Sequence, residues 1–129
     1  NQLLIENKML FIPVEGTVTQ GFNPKENHLA IDIAVDVGTP IKAASDGRVL
    51  FAEWTLETGY VIIIDHGDML TTAYKHNSAV LKKQNEFVNA GEIIALSGNH
   101  GTLTTGPHLH FELWKNGSPI DPAQLFNFQ

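Results

Sequence analysis

Glycine-bearing turns cut this chain into pieces too short for anything but β-structure. They fall at 45–47, 57–59, 66–68, 89–91, 98–101 and 115–117. Between them lie runs rich in β-branched and aromatic residues, at 31–37, 48–54, 60–65, 70–75, 92–97 and 108–114. Several alternate apolar with polar, the period of a half-buried strand. The spacing predicts an all-β fold of antiparallel sheets, a sandwich or open barrel with little helix. The runs are too short and too often interrupted for βαβ units. Two short helices are expected, one over 77–84 behind a cap at Asn77 or Ser78. The other covers 121–126, where Asp121 caps and Pro122 takes the first helical position. With 129 residues, 1–129 reads as one domain. Its core is 16–126, and 1–15 is a segment whose packing the pattern does not define.

Composition narrows the chemistry. Hydrophobic residues are 43% and charged residues 17%, enough apolar material for a real core. The formal net charge of -6 argues against nucleic acid, which needs a basic face, and against docking on anionic membranes. Cysteine is absent, so thiolate ligands and a cysteine nucleophile are excluded. The chain opens at Asn1 with no apolar stretch long enough to span a membrane. It reads as mature or trimmed, with any secretion signal, membrane anchor or regulatory segment outside it.

Six histidines remain to be explained. In Pro107-His108-Leu109-His110-Phe111-Glu112, strand alternation sets His108 and His110 side by side and turns Leu109 and Phe111 to the core. His28 and Asp32 form a second pair. The run 31–37 alternates throughout, so Asp32 is on a strand. A straight continuation would hold His28 about 13 Å away, too far to share a metal. A bend at Leu29-Ala30, or a loop that returns His28, is therefore required. His76 follows Tyr74-Lys75 at a strand end, whereas His66 and His100 fall in turns and read as structural. Glu112 continues the face of His110. It reads first as a solvated edge residue, with the orienting of a ligand histidine as the alternative. Each motif taken singly also fits surface histidines. Together, two histidines and a carboxylate suit catalytic zinc, which keeps a fourth position open, and non-haem iron uses the same ligand types.

In order along the chain stand His28-x-x-x-Asp32, Gly38-Thr39-Pro40-Ile41-Lys42-Ala43, Asp46-Gly47-Arg48-Val49 and 59–67. They are followed by Tyr74-Lys75-His76, 106–112 and 116–122. This series, from about Gly16 to Phe126, resembles the lysostaphin-type zinc endopeptidases, which cut peptide bonds of bacterial peptidoglycan. The resemblance implies an all-β domain with a substrate groove over an antiparallel sheet. It also implies one Zn²⁺ held by His28, Asp32 and His110, with His108 and His76 as the catalytic histidines. Of the paired histidines, the second would bind metal and the first would do chemistry. The partner implied is a peptidoglycan peptide, and the location is extracytoplasmic. Tyr74, expected on the face of His76, and His100, in the loop before the His-x-His strand, are assigned to the groove. Three departures from the family pattern are Ala30 for Gly, Asn77 for Leu and His100 for a small polar residue.

The expected reaction is hydrolysis by metal-activated water, with His108 as base and His76 assisting the oxyanion or the leaving amine. No His-Glu-x-x-His motif supplies a helical glutamate base. Within the family, glycine bridges and D-alanine–diaminopimelate stem cross-links are alternative substrates. An acidic chain suits the direct D-amino-acid cross-links of a thin wall. A second reading is a non-catalytic relative that activates other wall hydrolases. Such relatives have lost ligands that this chain keeps. A cupin-like oxygenase is disfavoured, because Glu112 comes only two residues after His110.

Overall fold

The structure is a computed structural model that describes residues 2–5, 8–99 and 106–126. Among the described residues twelve strands form: β1 (Gln2–Ile5), β2 (Lys8–Phe11), β3 (Thr17–Gln20), β4 (Ile31–Ala34), β5 (Pro40–Lys42) and β6 (Gly47–Thr55). Then come β7 (Gly59–Asp65), β8 (Leu70–Val80), β9 (Phe87–Val88), β10 (Ile93–Ser97), β11 (His108–Lys115) and β12 (Ser118–Ile120). β1 and β2 pair with each other. The rest form one antiparallel sheet in the order β3-β4-β11-β8-β7-β6-β9, with β12 beside β11 and β10 bridging β5 and β8. The expected all-β fold is therefore an open sheet. Among the described residues there is no α-helix, and no helix is long and apolar enough to cross a membrane.

The alternation read from sequence is what buries one face. Ile31, Ile33, Ile62, Ile64, Tyr74, Leu109, Phe111 and Leu113 are fully buried. They pack with Val49, Leu70 and Ile94 into one core. The leading segment joins it: Leu10, Ile12 and Val14 are buried, and the Phe11 amide donates to the Ala44 carbonyl at 2.7 Å.

Two expected helices are corrected. Residues 77–80 continue β8, because they pair with β10 and Asn77 is fully buried. A ladder and a buried amide outweigh a surface capping signal. At the other end only Pro122–Gln124 coils, as one turn of 3₁₀ helix, with the Asp121 side chain accepting from the Ala123 amide at 2.9 Å.

β8 is shared between two neighbours. Its first half, 70–75, pairs with β11, and 77–80 pairs with β10. His76 stands at the fork with a left-handed backbone, φ 69°. The β7–β8 register slips at the same place, from Tyr60↔Asn77 to Ile62↔Tyr74. This bulge sets the aim of His76.

Candidate metal centre

Asp32 and His110 are directly paired across β4 and β11, although 78 residues separate them in sequence. Cross-strand partners lie about 5 Å apart at Cβ, so both reach one point. His110 Nδ1 lies 3.1 Å from Asp32 Oδ1. His28 comes from a tight loop, not from an extended strand. Pro24–Glu26 coils, Asn27 takes a left-handed backbone, and Asn23 and His28 exchange backbone hydrogen bonds at 2.8 and 3.0 Å. That loop returns His28 Nε2 to within 3.2 Å of Asp32 Oδ2. The returning loop that the spacing required is thus present. One donor atom from each of His28, Asp32 and His110 lies within 4.8 Å of the others.

The protons show what the three can hold. His28 Nδ1–H donates to the Gly21 carbonyl at 2.7 Å, so Nε2 is an acceptor. That Nε2 is buried without a hydrogen-bond partner and faces a carboxylate, itself an acceptor. His110 is set between two carboxylates, with Nε2 2.8 Å from Glu112 Oε2 and Nδ1 3.1 Å from Asp32 Oδ1. With its proton on Nε2, toward Glu112, Nδ1 is left to donate to a metal. Three ligand atoms converging in a half-buried cleft suit a cation between them, and without one a proton on His110 Nδ1 bridges to Asp32. Two imidazoles and a carboxylate fit zinc. Burial alone would raise the Asp32 carboxyl. The hydrogen bond and charge of His110, then His108 and His28, outweigh it and hold Asp32 below the usual carboxylate range.

His108 and His76 complete the cleft, which measures about 260 Å³. His108 Nδ1–H donates to the Gly106 carbonyl at 2.8 Å, and Nε2 lies 3.8 Å from Asp32 Oδ1. At His76 the backbone N–H and Nδ1–H both donate to the Thr58 carbonyl, at 2.8 and 3.1 Å. The His76 ring centroid lies 5.0 Å from that of His108 and 5.7 Å from that of His110.

Tyr74 is not in the groove. It is fully buried, stacks 5.3 Å from Phe111, and its hydroxyl accepts from the Ala44 amide at 2.9 Å. The expectation assumed unbroken alternation from Tyr74 to His76, and the bulge at His76 breaks it. His100 lies outside the described residues. His66 is buried in its turn, with Nδ1 bonded to the Asp46 carbonyl and Nε2 to Thr72 Oγ1, each at 2.7 Å.

Three contributors escaped the sequence reading. Asn77 braces the fork, its Nδ2 donating to the Tyr60 and Tyr74 carbonyls at 3.1 and 3.0 Å. Lys75 lines the cleft and pairs with Glu112 at 2.8 Å. Thr58 holds His76. The available signal was Asn77 itself, a departure from the family pattern directly after His76.

Residues 26–122 match Peptidase family M23. The chain belongs to that family. It is 35% identical to the peptidoglycan DD-endopeptidase ShyB of Vibrio cholerae, over 81% of this chain and 26% of that protein. It is 40% identical to the murein hydrolase activator NlpD of Escherichia coli, over 87% of this chain and 30% of that protein. A zinc-containing peptidase from Vibrio cholerae superposes with a TM-score of 0.78 at 31% identity, covering 92% of this chain and 37% of that one. The chain thus spans less than a third of these curated relatives. M23 is the family that the ordered motifs resemble, and its members share the lysostaphin-like all-β fold found here.

Proposed function

We propose that this M23 domain is a zinc-dependent endopeptidase acting on the peptide cross-links of peptidoglycan, by preference stem-peptide links that involve D-amino acids. The observation that carries the reading is the convergence of His28, Asp32 and His110 with the Nε2 of His108 beside them. A zinc ion held by the three would polarise the scissile carbonyl and lower the pKa of water toward neutrality. His108 takes the proton of the attacking water at Nε2, since its Nδ1–H is committed to Gly106. His76, anchored through Nδ1 on Thr58, donates from Nε2 when protonated, to the developing oxyanion or to the leaving amine. The cleft over the donor cluster would take the scissile bond of a bound peptide. ShyB, a DD-endopeptidase by name, supports the substrate preference. A peptidoglycan substrate implies an extracytoplasmic location.

Similarity to NlpD supports a second reading, a domain that activates other hydrolases. The complete donor set favours catalysis. Digestion of purified sacculi by the zinc-loaded protein, with mass spectrometry of the released muropeptides, separates the two. Endopeptidase action converts cross-linked dimers into monomers. Intact dimers, together with stimulation of an added amidase, would establish the activator instead.

A further inference from the structure

Glu112 is not a solvated edge residue. It stands two positions beyond His110 on β11, half-buried, with both carboxylate oxygens engaged. Oε2 accepts from His110 Nε2–H and from Lys75 Nζ, each at 2.8 Å. Oε1 accepts from Trp114 Nε1–H at 2.9 Å. Lys75 is paired directly with His110 across β8 and β11, as Asp32 is across β4 and β11. The imidazole is therefore flanked on both neighbouring strands. It is gripped at its far nitrogen by a carboxylate that two further donors pin in place. The grip favours a proton on Nε2, toward Glu112, and leaves the Nδ1 lone pair for a metal shared with Asp32 and His28.

We propose that Glu112, supported by Lys75 and Trp114, is a positioning residue for the metal ligand His110. It holds the imidazole as the Nε2–H tautomer, fixes the ring's orientation and raises the donor strength of Nδ1. The two supports also keep the carboxylate from swinging round to compete as a ligand. The inference rests on reading the centre as a zinc site. Outer carboxylates on ligand histidines are worth about 10–100-fold in metal affinity.

The test is zinc affinity, measured by competition with a chromophoric chelator on the purified chain, alongside thermal unfolding of the zinc-free proteins. Glu112→Ala should weaken zinc binding about 10–100-fold. Glu112→Gln, whose amide oxygen still accepts, should lose less. Lys75→Met leaves the carboxylate–imidazole bond in place and should lose less than Glu112→Ala. In zinc-loaded protein labelled with ¹⁵N-histidine, the His110 Nε2–H should give a downfield, slowly exchanging resonance that Glu112→Ala abolishes. A purely structural role would lower thermal stability and leave that resonance and the affinity alone. Unchanged zinc affinity in Glu112→Ala overturns the proposal. If that variant does not fold, unchanged affinity and an unchanged resonance in Glu112→Gln overturn it as well. Failure of the unmutated chain to bind zinc would instead remove the zinc reading on which the proposal stands.

Discussion

His108 and His110 stand two residues apart on one strand, and their hydrogen bonds assign them different work. His110 gives its Nε2 proton to Glu112 and turns Nδ1 to the donor cluster, whereas His108 gives its Nδ1 proton to Gly106 and turns Nε2 inward. His110→Ala should therefore lose zinc and activity together. His108→Ala should keep near-stoichiometric zinc and lose about 10²–10⁴-fold in rate. Metal analysis beside a muropeptide assay checks both, and loss of metal in His108→Ala would mean that ligand and base are exchanged. At this scale the sequence is informative about residue types and poor about protons. Alternation put both rings on one face, but no pattern states which nitrogen is committed to a carbonyl. Glu112 shows the same limit: a carboxylate at i+2 looks solvated until Lys75 and Trp114, from a neighbouring strand and further along its own, are seen on it.

Among the elements, the strands that carry the site were legible and the irregularities that aim it were not. The run at 108–114 and the start of β4 at Ile31 both appear in the alternation of apolar and polar residues. The left-handed residue at His76 does not, because histidine, although enriched at positive φ relative to most residues, adopts it in only a small minority of cases. Tyr74 was misplaced for that reason alone. The 77–84 helix failed on a related point, since a buried Asn77 across a bulge resembles a helix cap when only its neighbours in sequence are visible. Close backbone packing of β3 against β4 is equally silent. A Cβ on Gly16 would meet the Ala34 carbonyl at 2.5 Å and Ile33 Cγ2 at 2.8 Å. Gly16→Ala should push β4 and shift Asp32 from His110. The expected result is a loss of about 1–3 kcal/mol in denaturant unfolding, together with weaker zinc binding. A variant as stable as the parent would show that β3 yields without moving β4.

For the molecule as a whole, two conditions should control stability. On the zinc reading proposed above, the ion binds the assembled centre and not the unfolded chain, so it should raise the melting temperature. At free zinc a thousandfold above Kd the gain is about 4 kcal/mol. Chelation should reverse it in a melting curve, and Asp32→Ala should abolish the response. The second condition is alkaline pH. Burial pushes the Tyr74 hydroxyl from 10.0 up to about 12, against the opposing hydrogen bonds of Thr72 and Ala44. The folded form holds this proton more tightly than the unfolded form does. The stabilisation is thus fully present below about pH 10 and disappears as the pH rises through 12. It amounts to about 3 kcal/mol. Unfolding free energies of zinc-free protein, with tyrosinate absorbance followed in parallel, should show both changes in that window. Tyr74→Phe should remove the slope.

The order β3-β4-β11-β8 has one more consequence. β11 arrives late in the chain, yet it is inserted between two strands made much earlier. Asp32 and Lys75 meet His110 only through it. During synthesis, a ribosome that has released everything before residue 108 has produced no complete donor cluster. The donor cluster is thus withheld until the last long strand slots into the middle of the sheet. A chain terminated before that strand lacks His110 and with it one member of the cluster.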